Sequence, residues 1–356
     1  MVKNHKHIEI VRPTIKGLSS MSSASCDSIF DVLNKHFDEV GVTIVNNSAD
    51  LGDLIESCPD LVFLGMEFIP TDSALGLADP NRIWLSDILD SYGISYTGSS
   101  QRAHELERNK HLAKQRVLDA NLKTSAFCVV KQNQSLDMIN VPLDFPLFIK
   151  PTDRGGGLGV DSDSVVHGFD QLRTKVHSIT TTFRSDALIE EYLPGREFSV
   201  AILKYKNSAG YLAMPIELVA PADKNGSRLL SGQVKSENVE QVLEVTDTIV
   251  RSKVITLALA VFDALGARDY GRIDIRLDNN GTPHFLEANL IPSLISGYGS
   301  FPKACLLNIG LDYEPMIMTI ANLALARNVN EIVDVPELVM MSSSVLQSSE
   351  IVFAAA

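Results

Sequence analysis

The chain has 356 residues, 45 % of them hydrophobic and 21 % charged, which suits two or three globular units and excludes a disulfide-stapled miniprotein or a largely disordered chain. Acids outnumber bases by 44 to 31 for a net charge of -13, so a nucleic-acid-wrapping surface is excluded while a local basic pocket for a small phosphate ligand is not. Cys26, Cys58, Cys128 and Cys305 are scattered without a C-x-x-C pair, which indicates neither a zinc site nor a disulfide framework and points to a reduced, cytoplasmic protein. Residues 1–17 lack the apolar core of a signal peptide. The longest apolar stretches, 61–68 and 254–262, fall well short of the ~20 residues of a membrane span, so neither export nor membrane insertion is expected.

In chain order, residues 7–11 read as a strand, 26–40 carry an apolar face at helical spacing, and 42–45 and 61–64 read as further strands. Residues 81–92 form a second helical pattern closed by Gly93, and 94–96 a short strand ending in Thr97-Gly98-Ser99-Ser100. This α/β alternation predicts a small parallel sheet with helices on both faces. A long helix over 104–120 follows, with Arg108, Lys110, Lys114 and Arg116 along it, which by itself reads as a solvated face. From Phe127 the texture becomes α+β: strands at 127–130, 147–150, 188–192 and 197–204, then a helix over 248–265, a hairpin and a helix over 315–327. The tail beyond Asn328 is serine-rich and reads as loosely ordered.

Three segments carry chemistry. Residues 270–289 are two alternating strands joined at Asn280-Gly281, a hairpin turn signal. Alternation puts Arg272, Asp274 and Arg276 on one face of the first strand, and Glu287 and Asn289 opposite Leu286 and Ala288 on the second. If the polar faces coincide, Asp274, Glu287 and Asn289 make an all-oxygen cluster suited to Mg²⁺ and phosphate oxygens; otherwise this is the polar outside of an ordinary hairpin. The second segment, Lys150 followed by the glycine-rich loop of Gly155, Gly156, Gly157 and Gly159, either cradles a phosphate or is a flexible hairpin tip, and is no Walker loop because its lysine precedes the glycines. The third, 188–199, leads an apolar strand into Glu190, Glu191, Tyr192 and Leu193 and then Glu197, which fits an adenine and ribose slot or, equally, a salt-bridged surface turn.

Taken together, in this order and spacing, the three segments resemble the ATP-grasp superfamily, and within it the D-alanine–D-alanine ligase family, over most of the chain from about residue 61 to 325. The resemblance implies an α/β and α+β fold of three domains with ATP held between two β-sheets: an N-terminal domain over 1–100, a central grasp subdomain over 101–190 and a C-terminal grasp domain over 191–328, with a tail at 329–356. It implies that Lys110 and Lys150 hold phosphates beside Gly156 and Gly157, that Glu190, Glu191, Tyr192 and Leu193 form the adenine hinge, and that Glu197 takes the ribose. It further implies Lys235 on a covering loop over residues 223–237 that is mobile in the free enzyme, Asp274, Glu287 and Asn289 as Mg²⁺ ligands, Arg272 on the transferred phosphoryl group, and a homodimer.

The chain departs from the family on the substrate side. No acid stands within 17–25 where the family has its Ser-x-Glu motif; Gly156 replaces a serine and Ser236 a tyrosine, so a hydrogen-bonded triad is missing as a set. Gly65 and Met66 with Glu67 stand where the family has His-Gly-x-x-G-E-D-G, and Asn289-Leu-Ile-Pro-Ser293 replaces Asn-x-x-Pro-Gly, leaving Ser293, Gly299 and Ser300 as candidates for gripping substrate. The expectation is an ADP-forming ligase that joins an amino acid or peptide-like carboxylate to an amine through an acylphosphate, in dipeptide or natural-product biosynthesis. The alternatives are D-alanine–D-alanine ligase itself and a catalytically silent nucleotide-binding module.

Overall fold

The computed structural model describes residues 3–15, 18, 21–134, 141–204, 210–222, 226, 228–237 and 239–327. The serine-rich tail, residues 17, 19 and 20 of the segment lacking the family's acid, and residues 223–225 and 227 of the covering loop lie outside that set.

The first 100 residues build β1 (Asn4–Arg12), α1 (Ser23–His36), β2 (Phe37–Ile44), α2 (Ser48–Glu56), β3 (Leu61–Leu64), β4 (Phe68–Pro70), β5 (Arg82–Trp84), α3 (Leu85–Ser91) and β6 (Ser95–Tyr96). Strands β2, β1, β3 and β6 form a four-stranded parallel sheet in that order, and all four residues of β3 are buried, as a strand covered on both faces requires. Two boundaries differ from expectation. The helix expected over 26–40 ends at His36, because Phe37 turns extended and enters the parallel ladder opposite Asn4 with its ring in the core. The helix expected over 81–92 begins only at Leu85: Arg82, Ile83 and Trp84 instead pair with β4, where the Trp84 and Phe68 rings pack with centroids 5.3 Å apart.

Next come α4 (Gln101–Arg108) and α5 (Lys110–Asp119), where one continuous helix was expected over 104–120. The break is at Asn109, whose side-chain amide donates to the Glu105 carbonyl. The Lys110 amide leaves the helical ladder and donates to the carbonyl of Thr152 at 3.0 Å, which pulls Lys110 toward the strand before the glycine-rich loop. That strand is β8 (Leu147–Pro151), in a second sheet of order β7 (Phe127–Val130), β10 (Ala187–Glu191), β8, β9 (Val165–Val166), with α6 (Phe169–Thr182) packed on it through Leu172 and Ile179.

A third sheet is antiparallel in the order β13 (Gln241–Glu244), β12 (Tyr211–Val219), β11 (Glu197–Lys204), β14 (Tyr270–Leu277), β15 (Pro283–Asn289). The short α7 (Gly232–Glu237) precedes β13, and α8 (Thr248–Ala264) buries Val254, Val261 and Phe262 against Phe198, Ile273 and Ile275 of this sheet. The predicted hairpin is present with one irregularity: Asp274 pairs with Glu287 but Ile275 with Phe285, so Leu286 is an extra residue. That bulge breaks the expected alternation and turns Leu286 into the cleft beside Glu287. After α9 (Ser300–Ile309), α10 (Tyr313–Arg327) returns to the N-terminal sheet, where Ile317 and Ile320 share a core with Ile8 and Phe63, and Arg327 bonds Asp269 and the Tyr96 carbonyl. Among the described residues no helix is long and apolar enough to cross a membrane.

Candidate active site

The gap between the second and third sheets is a cleft with about 810 Å³ of free space including its open mouth. One wall is Phe148 and Lys150 of β8 with Glu190 and Glu191 of β10, continued by Tyr192 and Leu193; the other is Glu197 of β11, Asp274 and Arg276 of β14, and Leu286 and Glu287 of the bulge. Lys110 enters from the start of α5, Gly157 from the glycine-rich loop and Lys235 from α7. Sequence segments far apart in the chain therefore meet here.

The floor is ionic. Lys114 is 0 % exposed and pairs with one oxygen of Glu190, while Lys150 reaches the other at 3.0 Å. Lys114 also donates to Thr124 and Ser125, at 2.7 and 2.9 Å, and Ser125 donates to Glu190. Burial works to raise the Glu190 carboxyl, yet Lys114 and Lys150 outweigh it and hold it below the usual range. Lys150 is likewise pulled down by burial but held above its ordinary value by Glu190 and Glu287. The Glu190 side chain is thus engaged with two lysines under the hinge, and sequence reasoning missed Lys114 because its spacing on α5 reads as surface.

Lys110 differs. Its ammonium donates to the Arg154 carbonyl at 2.6 Å, its nearest carboxylate oxygen is 3.7 Å away on Glu287, and burial, opposed by that carboxylate, leaves it below its ordinary value. Burial pushes Glu287 up, but Lys110, Lys150, Lys235 and Arg272 outweigh this and hold it well below the carboxylate range. Asp274 accepts both arms of the Arg272 guanidinium at 2.9 Å, the Ser199 hydroxyl at 2.7 Å and the Asn289 amide at 3.2 Å. At the far end Glu197 pairs with Arg276 at 2.9 Å, and that guanidinium lies 5.4 Å from the Tyr192 ring centroid. Neither Ser199 nor Arg276 was a sequence candidate; strand pairing of β11 with β14 brings Ser199 opposite Asp274.

Helix α7 packs against the glycine-rich loop. Gly157 has φ +77°, and a Cβ there would come within 2.7 Å of the Gly232 nitrogen at the start of α7. The Tyr298 hydroxyl holds α7 from the other side by donating to the Lys235 carbonyl.

A second cleft shares Lys110, Arg154 and Glu287 with the first and continues past Asn289 to Gly65, Met66 and Glu67 after β3 and to Glu107 and Arg108 at the end of α4. Gly156 and Leu18 also line it. Ser293, Gly299 and Ser300 line neither cleft: they lie at the start of α9, where a Cβ on Gly299 would meet the Ser293 carbonyl at 2.4 Å.

The family model described as D-ala D-ala ligase C-terminus matches residues 119–322, more than half of the chain. The chain belongs to the D-alanine–D-alanine ligase family. D-alanine–D-alanine ligase of Hydrogenovibrio crunogenus is 30 % identical to this ligase over 240 residues, covering 67 % of this chain and 72 % of the relative. An uncharacterized protein of Sinorhizobium fredii is 31 % identical over 242 residues, covering 67 % and 68 %. The crystal structure of D-alanine–D-alanine ligase from Bacillus anthracis complexed with ATP superposes with a TM-score of 0.67 over 92 % of this chain and 99 % of that one, at 19 % identity, a likeness of fold. The three-sheet arrangement is thus the ATP-grasp fold, and the protein is an ATP-dependent C–N ligase.

Three outcomes follow from this geometry. Glu190→Gln leaves two buried ammoniums against a neutral amide and should cost about 3–5 kcal/mol, read as a lower urea midpoint. For Lys110, the free protein disfavours the ammonium and a neighbouring phosphate favours it. Binding of ATP therefore takes up protons at alkaline pH, and affinity falls as pH rises through the lowered Lys110 value; calorimetry in two buffers of different ionisation enthalpy reads the uptake directly. Gly157→Ala, with ~1–2 kcal/mol of left-handed strain and the Gly232 clash concentrated at the cover, should weaken ATP binding about tenfold with little change in melting temperature, measured by titration and calorimetric scan.

Proposed function

We propose that this ligase activates a substrate carboxylate with ATP and joins it to an amine other than that of D-alanine, in dipeptide or natural-product biosynthesis. The observation that supports this reading best is that Lys110, Lys150 and Lys235 line one cleft with Glu287, and that they and Arg272 together hold that carboxylate well below its usual range. A phosphoryl group in transfer needs that concentration of positive charge in a water-excluded site. In this reading Lys110 and Lys150 with the Gly156 and Gly157 loop hold the phosphates, the segment from Glu190 to Leu193 takes the adenine, Glu197 takes the ribose and Lys235 covers the terminal phosphate. The partition at residues 100, 190 and 328 then separates the substrate-binding sheet from the two halves of the grasp, and the protein works as a homodimer.

The donor set fits Mg²⁺. Asp274 and Glu287 are carboxylates beside the amide of Asn289, an all-oxygen group of the kind that shares a hard cation with phosphate oxygens, and among the described residues no His or Cys cluster competes for a softer metal. Each oxygen of Asp274 already accepts two hydrogen bonds, from Arg272 and Ser199 on one and from Arg272 and Asn289 on the other, so a metal ion would displace one of these donors. When bound, Mg²⁺ neutralises charge on the phosphates.

The chemistry balances as two displacements. A carboxylate oxygen attacks the terminal phosphorus, the bond to the bridging oxygen breaks and ADP leaves, with Arg272 steadying the transferred group. The amine nitrogen then bonds the acyl carbon, the carbon–oxygen bond breaks, and orthophosphate departs carrying the proton lost by the amine. The cover formed by α7 and the glycine-rich loop keeps water from the intermediate. The missing triad on the substrate side, with Gly156 lining the second cleft where the family has a serine, supports substrates other than two D-alanines.

The test is ADP release with Mg²⁺ across pairs of D- and L-amino acids, followed by mass spectrometry of the products. The expected result is an amide other than D-alanyl-D-alanine, with release abolished in Glu287→Gln and Lys150→Ala proteins that melt normally. D-alanyl-D-alanine as the sole efficient product would sink the substrate reading, and unchanged release in either variant would sink the site.

A further inference from the structure

Glu67 and Arg108 line the second cleft away from the wall it shares with the first, and Arg82 lies outside its lining. Arg108 is 7 % exposed, yet its Nε and Nη2 have no partner among the described residues, and the same holds for Oε2 of Glu67 and Nε of Arg82. The guanidiniums of Arg82 and Arg108 sit over the same Phe68 ring, 4.5 and 5.4 Å from its centroid, so two like charges share one aromatic face. The neighbouring acids are already engaged: Asp153 pairs with Arg154 at 2.6 Å and accepts from Ser185, while Glu107 accepts the Leu290 amide at 2.7 Å and pairs with the buried His104 at 3.0 Å. Arg82 reaches Asp153 only at 3.9 Å.

Two guanidiniums therefore face one uncommitted carboxyl, Glu67, and burial followed by the nearby Glu107 pushes that carboxyl above its ordinary range. The remainder is positive. Buried charged donors and acceptors are costly to leave unsatisfied, so the arrangement suits a ligand that bonds them. Open guanidinium donors select a carboxylate, and a lone carboxyl oxygen beside them selects a donor such as an ammonium. A ligand that offers both on one carbon is an α-amino-acid head.

The place of that head decides which carboxylate reacts. The reacting group has to lie at the wall shared with the nucleotide cleft, by Lys110 and Glu287. An α-carboxylate that neutralises Arg108 at the far wall is not there. We propose that Glu67 and Arg108 are the specificity-determining pair of this ligase, and that its donor substrate is an amino dicarboxylic acid, held by its α-amino-acid head and activated at its second carboxylate. The inference rests on the carboxylate–amine ligase reading above and follows the same two displacements at the second carboxyl group.

The experiment is calorimetric titration of the full chain, saturated with ADP and Mg²⁺, with D- and L-glutamate, D- and L-aspartate, and D- and L-alanine. At least one acidic amino acid should bind tenfold or more tighter than either alanine. Arg108→Gln should reduce that preference to parity with ADP affinity unchanged, and Arg108→Lys should restore part of it. Glu67→Gln, an independent variant should the Arg108 proteins melt early, should weaken glutamate while leaving glutarate, which lacks the ammonium, unaffected. Equal binding of acidic and neutral amino acids, no binding of any acidic one, a preference that survives Arg108→Gln, or equal losses for glutamate and glutarate in Glu67→Gln would each overturn the assignment. Binding as expected with no ADP release would instead count against the ligase reading.

Discussion

A single buried carboxylate, Glu190, set between the ammoniums of Lys114 and Lys150, holds the nucleotide cleft in shape. Three charges out of water are tolerated only when each is matched, and here the match joins α5, β8 and β10 at one point. Lys114 and Thr124 also bond the Phe285 carbonyl, so the same cluster ties the second sheet to the hairpin that carries Asp274 and Glu287. The distance between the two walls is thus set beneath the ligand site rather than by the ligand. Lys150 is at once a member of this cluster and a lining residue, which fixes where its charge is presented to the cleft.

Local rules made much of this visible in the amino-acid order. Period-two alternation placed Arg272, Asp274 and Arg276 on one strand face, and Asn280-Gly281 marked the turn, because both follow from backbone geometry alone. The bulge at Leu286 was not visible, since an extra residue in a ladder is a property of the pair and not of either strand. The break at Asn109 escaped for a similar reason: the Lys110 amide finds its partner in Thr152, forty-two residues on. Lys114, Ser199 and Arg82 were hidden because their roles depend on what a distant strand or ring brings beside them. Phe37 and Trp84 show the same override at element boundaries, where a helical pattern gave way to pairing with β1 and β4.

The two clefts share a wall but differ in how their charges are settled. In the first cleft Glu190, Glu197, Asp274 and Glu287 each have a cation within 4.0 Å, and the nearest carboxylate oxygen to Lys110 is 3.7 Å away on Glu287. In the second cleft Glu107 and Asp153 are engaged, and among the described residues unpartnered buried polar atoms remain on Glu67 and Arg108. Charge balance in the first is a property of the chain; in the second it is left to whatever enters.

The interruption of the helix at Asn109 gives the two sides separate footings. Arg108 ends α4 and Lys110 begins α5, each with its own hydrogen-bonded turn, so a substitution at 107 or 108 changes the substrate wall without rotating Lys110 out of the nucleotide cleft. Had the helix run through, the two residues would point 200° apart on one rigid rod, at ~100° per residue, and could not have served adjoining clefts. A one-residue interruption of this kind lets the residues on either side of it vary without moving one another.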